Sequence, residues 1–93
     1  MKQQITVKQL SELPFKDFIV IRDWKHTKGL QEGLLLNIGE MLQFLYERVD
    51  VNVNAEPRES QSQGWFVNEK SAVELCDALW MCVKDVVKNE KVG

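Results

Sequence analysis

Residues 71–88 read SAVELCDALWMCVKDVVK. Ala72, Leu75, Cys76, Leu79, Trp80, Val83, Val86 and Val87 recur at the i, i+3, i+4, i+7 spacing of one helical face, forming the wide apolar arc of a core-facing helix. Glu74, Asp77, Lys84, Asp85 and Lys88 fall on the other side. Ser71 and Glu74 fit an S-x-x-E capping box, whose loss costs about 1 kcal/mol. Glu69 and Glu74 near the start, with Lys84 and Lys88 near the end, suit the helix dipole. The stretch predicts the main helix of the fold, with Met81 alone projecting into the polar face. An isolated exposed apolar residue is ordinary; as a functional residue, Met81 would touch another chain, because Met is enriched at interface centres.

Outward from that helix, the 93 residues predict a single α+β domain spanning 1–93. A hydrophobic fraction of 44% and a charged fraction of 28% are ordinary for a globular protein. A chain this short buries roughly 60–65% of its extended surface, enough for one core. Net charge −2 and pI 5.4 weigh against a nucleic-acid binder, which takes its affinity from cations facing phosphates. No apolar run reaches the roughly 20 residues of a membrane span, and the first residues lack the apolar core of a signal peptide. A cytoplasmic protein without membrane contact is expected. Cys76 and Cys82 lie about 240° apart around a shared helix, so they cannot bridge within it and read as small core residues in a reducing compartment.

In chain order, residues 1–4 are expected to fray. Thr6 and Gln9 form a second capping box over a short helix, with Ile5 and Leu10 as its staple, Val7, Leu10 and Leu13 as its apolar face, and Pro14 as its end. Residues 17–24 (DFIVIRDW) carry four consecutive apolar residues, Phe18 to Ile21, which predict a strand covered on both faces. Residues 25–33 (KHTKGLQEG) read as a polar connection, and 34–36 either as a short strand or as the entry to the next helix. Residues 37–47 (NIGEMLQFLYE) predict a second main helix with an Asn37–Glu40 box, a Leu36–Met41 staple and a stripe of Ile38, Met41, Leu42 and Leu45, with Phe44 and Tyr46 at its margins. Residues 49–54 (VDVNVN) alternate as a half-buried strand does. Residues 55–63 predict a mobile loop, 64–68 (GWFVN) a returning antiparallel strand, and 89–93 a frayed end. The expected order is α–β–α–β–β–α: a small three-stranded, mostly antiparallel sheet packed against two main helices.

The sequence shows no HExxH, CxxC, GxSxG, P-loop or GxGxxG pattern. His26, the only histidine, has no companions at metal-ligand spacing. No carboxylate pair stands out for acid–base work. No catalytic residue, metal site or cofactor is therefore expected, and the chain reads as non-enzymatic. The candidate partner-binding residues are Trp24 and Trp65, aromatic anchors at strand ends, with Met81 and the acidic pair Glu74 and Asp77, which share a helix face and could meet a basic surface. The alternative is a small nucleic-acid-binding accessory protein that grips phosphates with Arg22, Lys25, His26 and Lys28 around Trp24. A homodimer fits either reading, because a two-layer domain leaves a sheet face or edge open.

NIGEMLQFLYE (37–47) and ELCDALWMCVKDVV (74–87) resemble segments of short proteins encoded by phages and prophages of Gram-positive bacteria. The likeness covers the second half of the chain. It implies a setting, the cytoplasm of an infected host cell, and a mode of action, modulation or inhibition of a host protein by binding it. It carries over no catalytic residue.

Overall fold

Helix α4 (Leu75–Glu90) is the element on which the others rest. Cys76, Ala78, Leu79, Trp80, Cys82, Val83 and Val87 are all buried along it, and it packs against a second long helix, a third, and two strands of the sheet. The computed structural model describes residues 2–29, 35–56 and 64–90. Among them the order is α1 (Val7–Leu10), α2 (Phe15–Thr27), α3 (Ile38–Tyr46), β1 (Val53–Glu56), β2 (Gly64–Val67), β3 (Lys70–Ala72) and α4. The fold is the expected mixed α+β class with a three-stranded antiparallel sheet, reached with one element exchanged.

The exchange lies at residues 17–24, which are helical within α2 and not a strand. Pro14 precedes the helix, where its missing N–H costs nothing. Asp17 in the first turn and Lys25 and His26 in the last suit the dipole. Asp17, Ile21, Trp24 and Lys25 turn inward, at spacings of four, three and one. The consecutive run Phe18–Ile21 hides this period, because only Ile21 of the four is fully buried. Strand propensity is a weak signal when packing against a neighbouring helix decides the outcome, and α2 packs on α4. The connection expected from residue 25 begins later, since Lys25–Thr27 complete the helix and Gly29 follows with φ 67°, a left-handed conformation suited to glycine.

The third strand comes instead from β3. The sheet is a meander, β1–β2–β3, with both pairings antiparallel. Val53 opposes Val67, Ala55 opposes Trp65, and Trp65 opposes Ala72. Opposed residues share a face; Val53, Val67, Trp65 and Ala72 pack on the core, Ala55 stays exposed, and Phe66, between Asn54 and Ser71, looks out. Asn68 makes the β2–β3 turn with φ 54°, a conformation asparagine tolerates. Its side chain accepts from the Asn52 N–H at 2.9 Å and donates to the Asp50 carbonyl at 3.0 Å, holding the turn against the chain before β1. Only Val53 and Asn54 of the alternating run 49–54 are in strand geometry; Val51 still packs on the core, and Val49 is exposed. Ala55 and Glu56, expected in a loop, extend β1, while 57–63 lie outside the described residues.

Because Ser71 pairs with Phe66 in the β ladder, it is not the cap of α4, and the predicted Ser71–Glu74 box does not form. The helix begins four residues later, where the Glu74 carbonyl accepts from the Asp77 and Ala78 N–H groups. The other two boxes form as expected. Thr6 and Gln9 exchange bonds of 3.0 Å, and Asn37 and Glu40 exchange bonds of 3.0 and 2.7 Å. Leu36 and Met41 are buried beside the second box as its staple. Phe44, expected at the margin of α3, is fully buried edge-on to Trp24, with ring centroids 5.3 Å apart. Residues 2–4 are ordered, contrary to the expected fraying: the Ile38 N–H donates to the Gln3 carbonyl, Ile5 donates to Leu36, and Gln4 bridges Asn37. At the other end Asn89 and Glu90 continue α4. Both cysteines are free and buried; burial pushes both thiols up, and Cys82 Sγ donates to the Val67 carbonyl at 3.1 Å.

Candidate functional site

Residues 2–18 reach the surface as a fixed bracket, and α4 is what fixes them. The Lys2 Nζ donates to Asp77 Oδ1 at 2.6 Å and to Gln9 Oε1 at 2.7 Å, while Gln9 Nε2 donates to the same Asp77 oxygen. The Lys2 backbone N–H donates to Glu74. Past α1, Glu12 Oε1 accepts from the Trp80 indole at 3.2 Å and from the Lys84 ammonium at 2.8 Å. The same device recurs elsewhere. Trp24 and Lys28, also four residues apart, donate to the two oxygens of Glu47 at 3.0 and 2.9 Å and so tie α2 to the end of α3.

Held in this way, α1 and the start of α2 turn apolar side chains outward. Val7 and Phe15 are 70% and 71% exposed. With Leu10, Ser11, Leu13 and Phe18 they line an open groove of about 460 Å³. Leu13 is its buried floor, and the rings of Phe15 and Phe18 lie nearly parallel, 6.4 Å apart. Val7 was expected to face inward. In a four-residue helix that role passes to the flanking Ile5 and Leu13, which are buried on either side of it. A larger hollow of about 570 Å³ lies between the β2–β3 turn and α4, its walls mixed, with Asp50, Asn68, Glu69, Lys70 and Asp85 beside Val49 and Val86.

The residues singled out from the sequence are scattered. Met81 is exposed on α4, among Lys70, Lys84, Asp85 and Lys88. Trp65 is half-buried in the sheet. Trp24 is 6% exposed, which corrects its reading as a surface anchor: its ring packs on Phe44 and its indole N–H is taken by Glu47. Asp77 does meet a cation, but it is the Lys2 ammonium of the same chain, while Glu74 accepts from the Lys2 backbone N–H. Of the basic set, Lys25 is buried against Glu40 at 3.4 Å and Lys28 is paired with Glu47, which corrects their reading as open phosphate contacts. Arg22 and His26 are exposed on the outer side of α2, Arg22 lying 3.8 Å from its neighbour Asp23. Sequence reasoning missed Phe15 and Phe18 as surface residues. The available signal was Phe15 itself, a large aromatic that fits neither amphipathic pattern.

The bracket titrates. Burial raises the Asp77 carboxyl, but hydrogen bonds from Lys2 and Gln9 and the Lys2 charge outweigh it and hold the group below the usual range. The Glu12 carboxyl is likewise lowered, chiefly by its hydrogen bonds from Lys84 and Trp80. Carboxyls lowered on folding contribute stability that is complete above their unfolded values near 4 and is lost as pH falls through the folded ones. Amide exchange of α1 and the start of α2 should therefore accelerate below about pH 4, ahead of α3. Glu12→Gln with Asp77→Asn should produce that acceleration already at pH 7. Equal protection of α1 and α3 across the titration would contradict this.

Among the described residues, no helix is long and apolar enough to cross a membrane, and no group of three His, Cys, Asp or Glu side chains could hold a metal ion. No protein-family model matches the chain, and no match was found among curated proteins or solved structures.

Proposed function

We propose that the chain is a non-enzymatic protein-interaction module that docks a partner in the apolar groove between α1 and α2. The observation that carries this reading is the exposure of Val7 and Phe15 on a bracket pinned by ion pairs and hydrogen bonds. Fully burying a side chain such as Phe or Val stabilises by roughly 1.5–3 kcal/mol. Two such side chains held in water on a fixed scaffold represent binding free energy available to a partner, with little ordering cost to set against it. Four carboxylates serve as ties between parts of the chain: Glu12, Glu40, Glu47 and Asp77 each bind a lysine elsewhere in it. With the resemblance to phage-encoded proteins, the partner would be a host protein met in the cytoplasm.

The test is a photo-crosslinking phenylalanine analogue placed at position 15 in cells that express the gene naturally, with Tyr46, exposed on α3, as the control position. A discrete protein adduct is expected from position 15, absent from position 46 and abolished by Val7→Glu. Identical adducts at both positions, or none at position 15, would refute the module.

A further inference from the structure

Extending that reading of the groove, we infer that its occupant is an acidic amphipathic helix of another protein, lying along the outer face of α2. The argument is one of charge and shape. The two exposed apolar wall residues are each followed by an exposed lysine, Lys8 after Val7 and Lys16 after Phe15. Neither lysine forms an ion pair with a carboxylate among the described residues. The carboxylate nearest Lys8 in sequence, Glu12, feels the Lys8 charge but is hydrogen-bonded to Trp80 and Lys84 on the α4 side. From Phe18 the face continues at i+4 spacing to Arg22 and then His26, both exposed. The row from Phe15 to His26 is about 16 Å long, the length of a three-turn helix. A partner helix with apolar residues at i, i+3, i+4 and i+7 would place them in the groove. Carboxylates on its flanks would meet Lys8, Lys16 and Arg22.

Other occupants fit less well. A second copy seated face to face would bring Lys8 and Lys16 opposite the same groove and its lysines in its twin, juxtaposing like charges. Single-stranded nucleic acid requires flat stacking platforms and a run of open cations. Here Val7, Leu10 and Leu13 are aliphatic, while Lys25 and Lys28 are committed to Glu40 and Glu47. A bilayer is engaged by a broad apolar surface, whereas of the apolar residues lining this groove only Val7 and Phe15 are largely exposed.

The experiment is a display selection of short helical peptides randomised on one face, panned on the wild-type chain and counted for dependence on Phe15 with the folded Phe15→Glu variant. Phe15-dependent peptides should carry net negative charge beside an apolar i, i+3, i+4, i+7 row. The best of them should lose about tenfold in affinity against Lys8→Glu/Lys16→Glu and should weaken as salt is raised. The salt dependence is read on the wild type and so does not rely on the variant folding. A Phe15-dependent pool that is neutral, basic or extended overturns the acidic helix but leaves the docking groove standing. No Phe15-dependent pool at all overturns both. Phe15-dependent binding of an oligothymidylate, or of phosphatidylserine vesicles, tighter than that of any selected peptide also overturns the acidic helix and names the occupant class in its place.

Discussion

Trp80→Ala is expected to destabilise the chain by about 3–5 kcal/mol. Domains of this length are held by roughly 5–14 kcal/mol in all, so the loss takes between about a third and nearly all of the stability at the low and middle parts of that range. The ring is 1% exposed at the centre of α4. Its removal leaves a cavity in the core that the surrounding structure relaxes into only partially. It also removes the indole that donates to Glu12 and the ring lying 5.9 Å from the Lys84 ammonium. Trp80→Phe separates the contributions: most of the packing survives, and the loss of the hydrogen bond should cost about 0.5–1.5 kcal/mol. Urea denaturation monitored by far-UV circular dichroism is the measurement. A loss under about 1 kcal/mol for Trp80→Ala would mean that α4 is not the support of this fold.

Glu40→Ala should be nearly as damaging, by a different route. One carboxylate oxygen accepts from the Asn37 N–H and completes the cap of α3; the other lies 3.4 Å from the Lys25 ammonium. The side chains of Glu40 and Lys25 are only 14% and 6% exposed. Removing one member of a buried ion pair typically costs about 3–5 kcal/mol, whereas replacing both with apolar residues of similar volume can be nearly neutral. Lys25→Met combined with Glu40→Met should therefore be more stable than Glu40→Ala alone, its residual deficit of about 1 kcal/mol reflecting the lost cap. Additive losses in the double variant would show that the pair is solvated and contributes little.

The two structural roles of lysine in this protein explain why its basic residues misled a reading from sequence. In composition, Lys25, Lys28 and His26 look like one cluster. In the fold, one turn of α2 points Lys25 under α3 and Lys28 toward Glu47, and leaves His26 outside. Nothing local distinguishes them, because the distinction is made by carboxylates located 15 and 19 residues further along the chain. Trp24 was misassigned, and Phe15 overlooked, for the same reason. Both are large aromatics near element ends, and only the position of Glu47 and Phe44 makes one an inner residue and leaves the other exposed.

Several features were determined by the sequence alone. The α3 cap, the α1 cap and the inward face of α4 follow from periodicity and from side chains that bond within three or four residues of themselves. These are short-range interactions whose partners are adjacent in the chain. Three others were decided only by tertiary structure: the helical state of residues 17–24, the capture of Ser71 by the sheet, and the outward turn of Val7 and Phe15. In each case the local preference amounts to a few tenths of a kcal/mol per residue. A contact with a distant element, α4 for α2 and β2 for Ser71, exceeds that preference.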